Sequence, residues 1–246
     1  MNIKLNCDVG DSFGIWKMGN DEEIMPYINM ANLACGFHAG DALNMDKAVS
    51  LAVKYNTQMG AHIAYQDLAG FGRRKIAYSL EEIQAIVVYQ MGALNAFCKT
   101  YGKNITYVKP HGSLFNDMMD DELIFKAILS AISSYDKNIK LVILSSQKNE
   151  KYKQIALLYG IALILEVYVD RNYHDEGFIL SRSEKDSFIN DELDIMQRVE
   201  TLKERGYITS KNGLKLFLQA DTICLHGSSE KNYEFIKTVS GLLNNQ

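Results

Sequence analysis

The 246-residue sequence has only two prolines, Pro26 and Pro110, and no Pro- or Ser-rich tract. Nothing therefore marks a linker, and a length that α/β barrels often fill as one unit reads as a single domain over 1–246. The four cysteines, Cys7, Cys35, Cys98 and Cys224, form no C-x-x-C pair. They read as reduced, buried thiols. No apolar run reaches the roughly 18 residues of a membrane span, and the N-terminus enters a strand-like run with no signal-peptide pattern, so the expected location is cytoplasmic. The formal charge of −4 lacks the basic excess that nucleic-acid binding requires. Nucleotide-binding signatures (Walker A, or G-x-G-x-x-G after a strand) are missing, as is a G-x-S-x-G nucleophile elbow. With no H-x-x-x-H or H-E-x-x-H spacing, no metal is expected, although Asp with several His is a ligand set zinc would accept.

What the sequence does have is alternation. Strand-like runs over Ile3–Asp8, Met30–Cys35, Gln58–Ile63, Ile105–Val108, Ile139–Leu144, Ile161–Val169 and Leu214–Cys224 alternate with amphipathic helical patterns. Met45, Ala48, Val49 and Ala52 fall at helical spacing. Ser79 and Glu82 form a capping box ahead of the longest helix, which Gly102 stops. Asp120 and Asn190 open further helices, and Ser228 or Ser229 the last. Gly10–Pro26 reads as a long irregular loop, and Asp170–Asp186 as a polar stretch over the surface. Strands alternating with helices predict an α/β fold with a parallel sheet and right-handed crossovers. Polar residues inside several strands predict that the sheet closes, or nearly closes, into a barrel with chemistry in its lumen.

Four of the five histidines, His38, His62, His111 and His226, stand at or just past predicted strand ends. In a parallel barrel those ends share the face that carries ligands. His174, in the polar stretch, reads as a surface residue. Strand side chains alternate, so Asn6 and Asp8 share a face, as do Lys109 and His111, and Glu166, Tyr168 and Asp170. Charges inside strands are costly unless paired, which leaves Asp8 and Lys109 as either a structural ion pair or site residues. Gly70-Phe-Gly-Arg-Arg74 presents two guanidinium groups, suited to a carboxylate or phosphate or to a plain salt bridge.

These stretches together resemble the LamB/YcsF lactam-utilisation family. The resemblance runs through Leu5-Asn-Cys-Asp8 with Gly10 and Phe13-Gly14, then Ala31-Asn-Leu-Ala-Cys-Gly-Phe-His-Ala-Gly-Asp41 and Gly60-Ala-His62. It continues through Asp67-Leu, Gly70-Phe-Gly-Arg-Arg74, Val108-Lys-Pro-His-Gly-Ser-Leu-Phe-Asn116, Glu166-Val with Asp170-Arg171 and Tyr173, and Asp221-Thr-Ile-Cys-Leu-His-Gly227. The chain departs from the family pattern at Ile63-Ala64, where a Pro-Gly pair is usual, at Gln66 in place of Pro, and at Ser228 in place of an acidic residue.

The resemblance implies a distorted seven-stranded parallel β/α barrel, similar to glycoside hydrolase/deacetylase folds. The implied activity is ATP-dependent opening of 5-oxoproline to L-glutamate together with 5-oxoprolinase subunits B and C, ATP and its Mg²⁺ being handled with those partners. Ring opening needs a base, an acid and a cation against developing oxygen charge, and the residues that match this demand are Asp8 as base candidate, His111 or His38 as proton carrier, and Lys109 as electrostatic stabiliser. Asn6, Asn32, Asp41, His62, Arg73, Glu166, Arg171 and His226 are the implied substrate-binding residues, with Arg73 on the substrate carboxylate. Two other expectations stay open: a stand-alone metal-dependent deacetylase or amidohydrolase of small N-acyl compounds or sugars, and a non-catalytic ligand-binding regulatory subunit. So does self-association as a homodimer.

Overall fold

Strand alternation sets the architecture in a computed structural model, which describes residues 3–225 and 230–244. In β1 (Lys4–Val9) the outward residues Leu5, Cys7 and Val9 join the main apolar core, while Asn6 and Asp8 face the other way. β2 (Met30–Ala34), β3 (Gln58–Ile63), β4 (Tyr107–Pro110), β5 (Lys140–Leu144) and β6 (Leu163–Tyr168) follow in barrel order. A hairpin of β7 (Tyr207–Thr209) and β8 (Lys215–Phe217) precedes β9 (Thr222–Cys224), which sits between β6 and β1 and closes the barrel. All seven barrel strands are parallel to their neighbours. The expected seven-stranded parallel β/α barrel is the observed fold.

Outside the barrel run α1 (Asp21–Ile24), α2 (Ala42–Lys54), α3 (Leu80–Thr100), α4 (Gly112–Asp120), α5 (Glu122–Tyr135), α6 (Asn149–Tyr159), α7 (Glu192–Arg205) and α8 (Glu230–Asn244). Their ends follow local chemistry. Ser79 and Glu82 complete the capping box of α3, and glycines at 160 and 206, in the left-handed region, stop α6 and α7. Met30, Tyr107 and Val142, with Ile164 against them, form a separate apolar cluster in the lumen. Gly60 makes room for it: a Cβ there would lie 2.1 Å from the Tyr107 ring.

Several boundaries differ from the sequence reading. The seventh run, Leu214–Cys224, is two strands. Lys215–Phe217 pairs antiparallel with β7 outside the barrel across the Asn212-Gly213 turn, and only Thr222–Cys224 enters the barrel. The fourth strand starts later than Ile105, because the Ile105 N–H donates to Asn95 Oδ1 of α3. A helix, α4, begins directly after His111. The next is capped by Asp121, not Asp120, and α7 by Asp191, not Asn190. In each case the carboxylate accepts the N–H two residues on. The Gly10–Pro26 loop contains α1 and a short 3-10 turn. Ser228 and Ser229 lie outside the described residues.

Candidate active site at the C-terminal end of the barrel

The strand register brings the polar lumen residues to common levels: Asp8 opposite Asn32, Asn32 opposite Gly60, His62 opposite Lys109, Asn6 opposite Cys224, and Glu166 opposite Thr222. Lys109, only 1 % exposed, is the hub. Its Nζ lies 2.9 Å from Glu166 Oε1, 3.3 Å from Asp8 Oδ1, 3.1 Å from Asn6 Oδ1 and 3.1 Å from Cys224 Sγ. Burial alone would lower its pKa; the carboxylates, Asp8 foremost, outweigh burial and raise it well above the ordinary lysine value. The Cys224 thiol is pushed up by burial and stays protonated. One ammonium is thus shared between two carboxylates.

Asn6 and Asn32 hold this arrangement from below. Asn6 Nδ2 donates to Glu166 Oε1 at 2.8 Å and to Thr222 Oγ1 at 2.9 Å. Asn32 Nδ2 donates to Asn6 Oδ1 at 2.7 Å and to Asp8 Oδ1 at 2.8 Å, and the Tyr107 hydroxyl donates to Asn32 Oδ1 at 2.8 Å. Both asparagines are buried, and their bonds are internal. They position Asp8, Lys109 and Glu166 and do not face the cavity.

The histidines form a second group above the lumen. His62 Nε2 is 3.3 Å from Asp8 Oδ2 and 2.9 Å from His111 Nδ1. His38 stacks on His111 with centroids 4.0 Å apart and planes at 10°. Burial, then the neighbouring histidines, holds His38 and His111 well below the ordinary imidazole value. Asp11 approaches His38 Nε2 at 3.8 Å, and burial followed by the Asp8 charge pushes its carboxyl up to about 7. Gly112 lets His111 reach the site. Its φ is +56°, and a Cβ would fall 2.3 Å from the Gly72 carbonyl oxygen.

A cavity of about 650 Å³ opens over these groups, with Asp8, His62, Lys109 and His111 on its floor and Arg73, Arg171 and Arg182 among its walls. The two arginines of the glycine-rich loop divide the work. Arg74 binds Asp67, which also accepts the Gly70 and Arg74 N–H groups and so shapes the loop. Arg73 is exposed and faces the cavity. The polar stretch after β6 is a wall of this cavity and does not wander over the surface. Tyr173 is fully buried and accepts the Tyr168 N–H at 2.8 Å, and residues from His174 to Glu184 line the opening. His174, half-exposed, pairs with Glu184 at 3.4 Å.

Of the expected site residues, Asp8, His62, Lys109, His111, Arg73 and Arg171 border the cavity. Arg171 also holds the wall together, donating to the carbonyls of Ser187 at 3.1 Å and Leu180 at 2.5 Å. Asn6, Asn32 and Glu166 lie beneath, and His38 stands behind His111. Asp41 belongs elsewhere. As the α2 N-cap it accepts from the N–H groups of Leu43, Asn44 and Gly14, which makes it a structural cap. His226 lies outside the described residues. Sequence reasoning passed over Asp11, Arg182 and Cys224. Asp11, three residues after Asp8 in the loop leaving β1, carried a usable signal. Arg182 carried none.

Residues 3–246 match the LamB/YcsF family. The chain belongs to that family. A Vibrio parahaemolyticus protein, named as the A-subunit of 5-oxoprolinase, is 44% identical over 237 residues, spanning 96% of this chain and 94% of its own. A Pseudomonas fluorescens protein of the same name is 41% identical over 244 residues, 99% of this chain and 98% of its own. The crystal structure of a lactam utilization protein from Thermus thermophilus superposes with a TM-score of 0.90 at 35% identity, covering 98% of this chain and 97% of that one. Ile63 ends β3 and Ala64 follows it. Here Gln90 of α3 clamps the segment, accepting the Ala64 N–H at 2.8 Å and donating to the Ala64 carbonyl at 2.9 Å.

Proposed function

We propose that this chain is the lactam-binding subunit of an ATP-dependent 5-oxoprolinase, opening 5-oxoproline to L-glutamate with two partner subunits, B and C. The observation that carries this reading is the 41–44% identity, over nearly the whole chain, with proteins named as the 5-oxoprolinase A-subunit. The cavity supplies matching chemistry. The substrate is small, with one carboxylate and one ring amide, and Arg73 at the wall suits the carboxylate. The amide is unactivated, so coupling to ATP supplies the driving force. On this reading ATP and its Mg²⁺ are handled at sites built with the partners.

Ring opening adds water to the carbonyl carbon and breaks the C–N bond, with the ring nitrogen taking up a proton. Asp8, held on the cavity floor by Lys109 and Asn32, serves as base for the water. The His62–His111 pair carries a proton toward the leaving nitrogen. Lys109, fixed in its charged form, stabilises negative charge developing on oxygen. The test is reconstitution: purified chain, the two partner subunits, ATP and 5-oxoproline, with each left out in turn and glutamate measured. The expected result is glutamate only from the complete mixture. Robust glutamate formation by the chain with ATP alone, or by the partners without it, would overturn the assignment.

A further inference from the structure

The facing rings of His62 and His111 pose a proton-counting problem. The far nitrogen of each is on a backbone carbonyl: His62 Nδ1 lies 2.9 Å from the Lys109 oxygen, and His111 Nε2 lies 2.9 Å from the Phe71 oxygen. A carbonyl oxygen only accepts, so both far nitrogens carry hydrogen. A neutral imidazole has one N–H. The near nitrogens, His62 Nε2 and His111 Nδ1, are then both lone-pair donors, and they face one another at 2.9 Å. Two lone pairs at that separation repel unless something positive stands between them.

A carboxylate stands beside one of these nitrogens. Asp8 gives Oδ1 to Lys109 and Asn32, while its Oδ2 lies 3.3 Å from His62 Nε2. A proton bridges two atoms; a metal ion satisfies three or four. The three histidines His38, His62 and His111 each place a ligand atom within 4.8 Å of the others. Neither His38 nitrogen has a hydrogen-bond partner among the described residues, although the side chain is buried. Carbonyl partners on the far nitrogens are the outer contacts that metal-ligating histidines use to fix ring orientation.

We propose that the facing nitrogens His62 Nε2 and His111 Nδ1 bind one divalent transition-metal ion, zinc by the chemistry of the donors, and that Asp8 Oδ2, 3.3 Å from His62 Nε2, is drawn in as the third ligand. Two imidazoles and a carboxylate with a fourth position open is a zinc arrangement that leaves room for water or substrate oxygen, and here all three residues border the cavity. A tetrahedral zinc about 2.0–2.1 Å from each nitrogen needs them about 3.3 Å apart, so the two rings separate by about 0.4 Å on binding. His38, lying parallel to His111, does not share its plane and becomes a ligand only if its ring turns. The three ligands come from the ends of β1, β3 and β4, so no short spacing in the sequence marks them. A bound ion would take over activation of water from the proton relay, leaving the Lys109 and Arg73 roles as they stand.

The experiment uses the full chain, stripped with a chelator and titrated with zinc alone by calorimetry. One equivalent should bind, and the melting temperature should rise with zinc. His62→Asn keeps a donor toward the Lys109 carbonyl, and His111→Gln keeps one toward Phe71, while each removes the near nitrogen. Each should weaken binding by more than the roughly 10–100-fold that loss of an outer contact costs. His174→Ala, at the cavity opening, should change nothing. Less than a tenth of an equivalent bound by the parent chain would overturn the proposal, as would unchanged affinity in folded variants. If either histidine variant fails to fold, Asp8→Asn provides the same reading. Metal binding is measured without substrate or partners, so its failure leaves the 5-oxoproline assignment intact, and failure of that assignment leaves the metal site intact.

Discussion

Replacing Lys109 by methionine tests the central electrostatic claim. Read as an isolated buried lysine, the position ought to tolerate an apolar chain of similar volume. The geometry reverses that expectation. Lys109 Nζ is shared between Glu166 at 2.9 Å and Asp8 at 3.3 Å, and the Glu166 side chain has no solvent exposure. Methionine would leave the buried Glu166 carboxylate beside an apolar chain without its ammonium partner, and would take the same ammonium from Asp8. Breaking a buried pair by removing one partner costs about 3–5 kcal/mol, and in a chain of this size each kcal/mol moves the melting temperature by about 2–4 °C. Lys109→Met should therefore melt about 6–20 °C below the parent near neutral pH.

The pH dependence has a defined sign. Carboxylates in the unfolded chain titrate near about 4. In the variant, protonation relieves the cost of a buried carboxylate that has lost its ammonium partner. The folded state then binds more protons than the unfolded state, and its deficit shrinks as pH falls toward the unfolded value. Adding Glu166→Gln should recover about half the loss by removing one stranded charge. Differential scanning calorimetry of the two variants at about pH 7.5 and about pH 5 decides it. A Lys109→Met protein within about 2 °C of the parent would refute the reasoning. A deficit that neither acid nor the second substitution relieves would do the same.

Three other outcomes are expected. Gly60→Ala drives a methyl group into the Tyr107 ring and should cost about 1–3 kcal/mol or more. Tyr107→Leu in the same chain should recover part of that loss, and urea midpoints showing no recovery would count against the lumen packing described. Arg73→Ala in the assembled enzyme should raise the KM for 5-oxoproline about 10–100-fold, the worth of a hydrogen bond to a charged group. The melting temperature should not change, since Arg73 is exposed; an unchanged KM would remove Arg73 from substrate binding. Asp21 has its pKa raised to about 6 by burial, against the pull of the Gly10 N–H that it accepts at 3.0 Å. An acid raised in the folded state loses stability as pH climbs from its unfolded value toward 6. Asp21→Asn should therefore melt higher than the parent above about pH 6 and show no gain near about pH 3.5. Equal differences at the two pH values would exclude the linkage.

Local patterns carried the fold. Alternation in Lys4–Val9 or Gln58–Ile63 depends only on neighbours along one strand. The capping box at Ser79 and Glu82 is likewise a local hydrogen-bond pattern. The family was legible for the same reason, since its motifs are contiguous runs. Which polar residues act and which support was not legible. Asn32 and Asp41 both sit in the one conspicuous stretch, yet Asn32 is buried beneath Asp8 and Asp41 caps α2 on the other side of the loop. Arg73 and Arg74 are adjacent and identical in type, and only the position of Asp67 decides that one shapes the loop while the other faces the cavity.

The seventh strand was misread because Lys215–Phe217 and Thr222–Cys224 both look extended. Extended backbone has no preference for a partner, and only packing chose β7 for one and β1 with β6 for the other. The approach of Asp8 to His62, and of His62 to His111, was likewise set by barrel closure. Residues far apart along the chain meet within hydrogen-bond distance only when a sheet rolls up, and that distance decides what their lone pairs can hold. The sequence by itself determined the residue types at each strand end; the tertiary structure decided which of their atoms face one another.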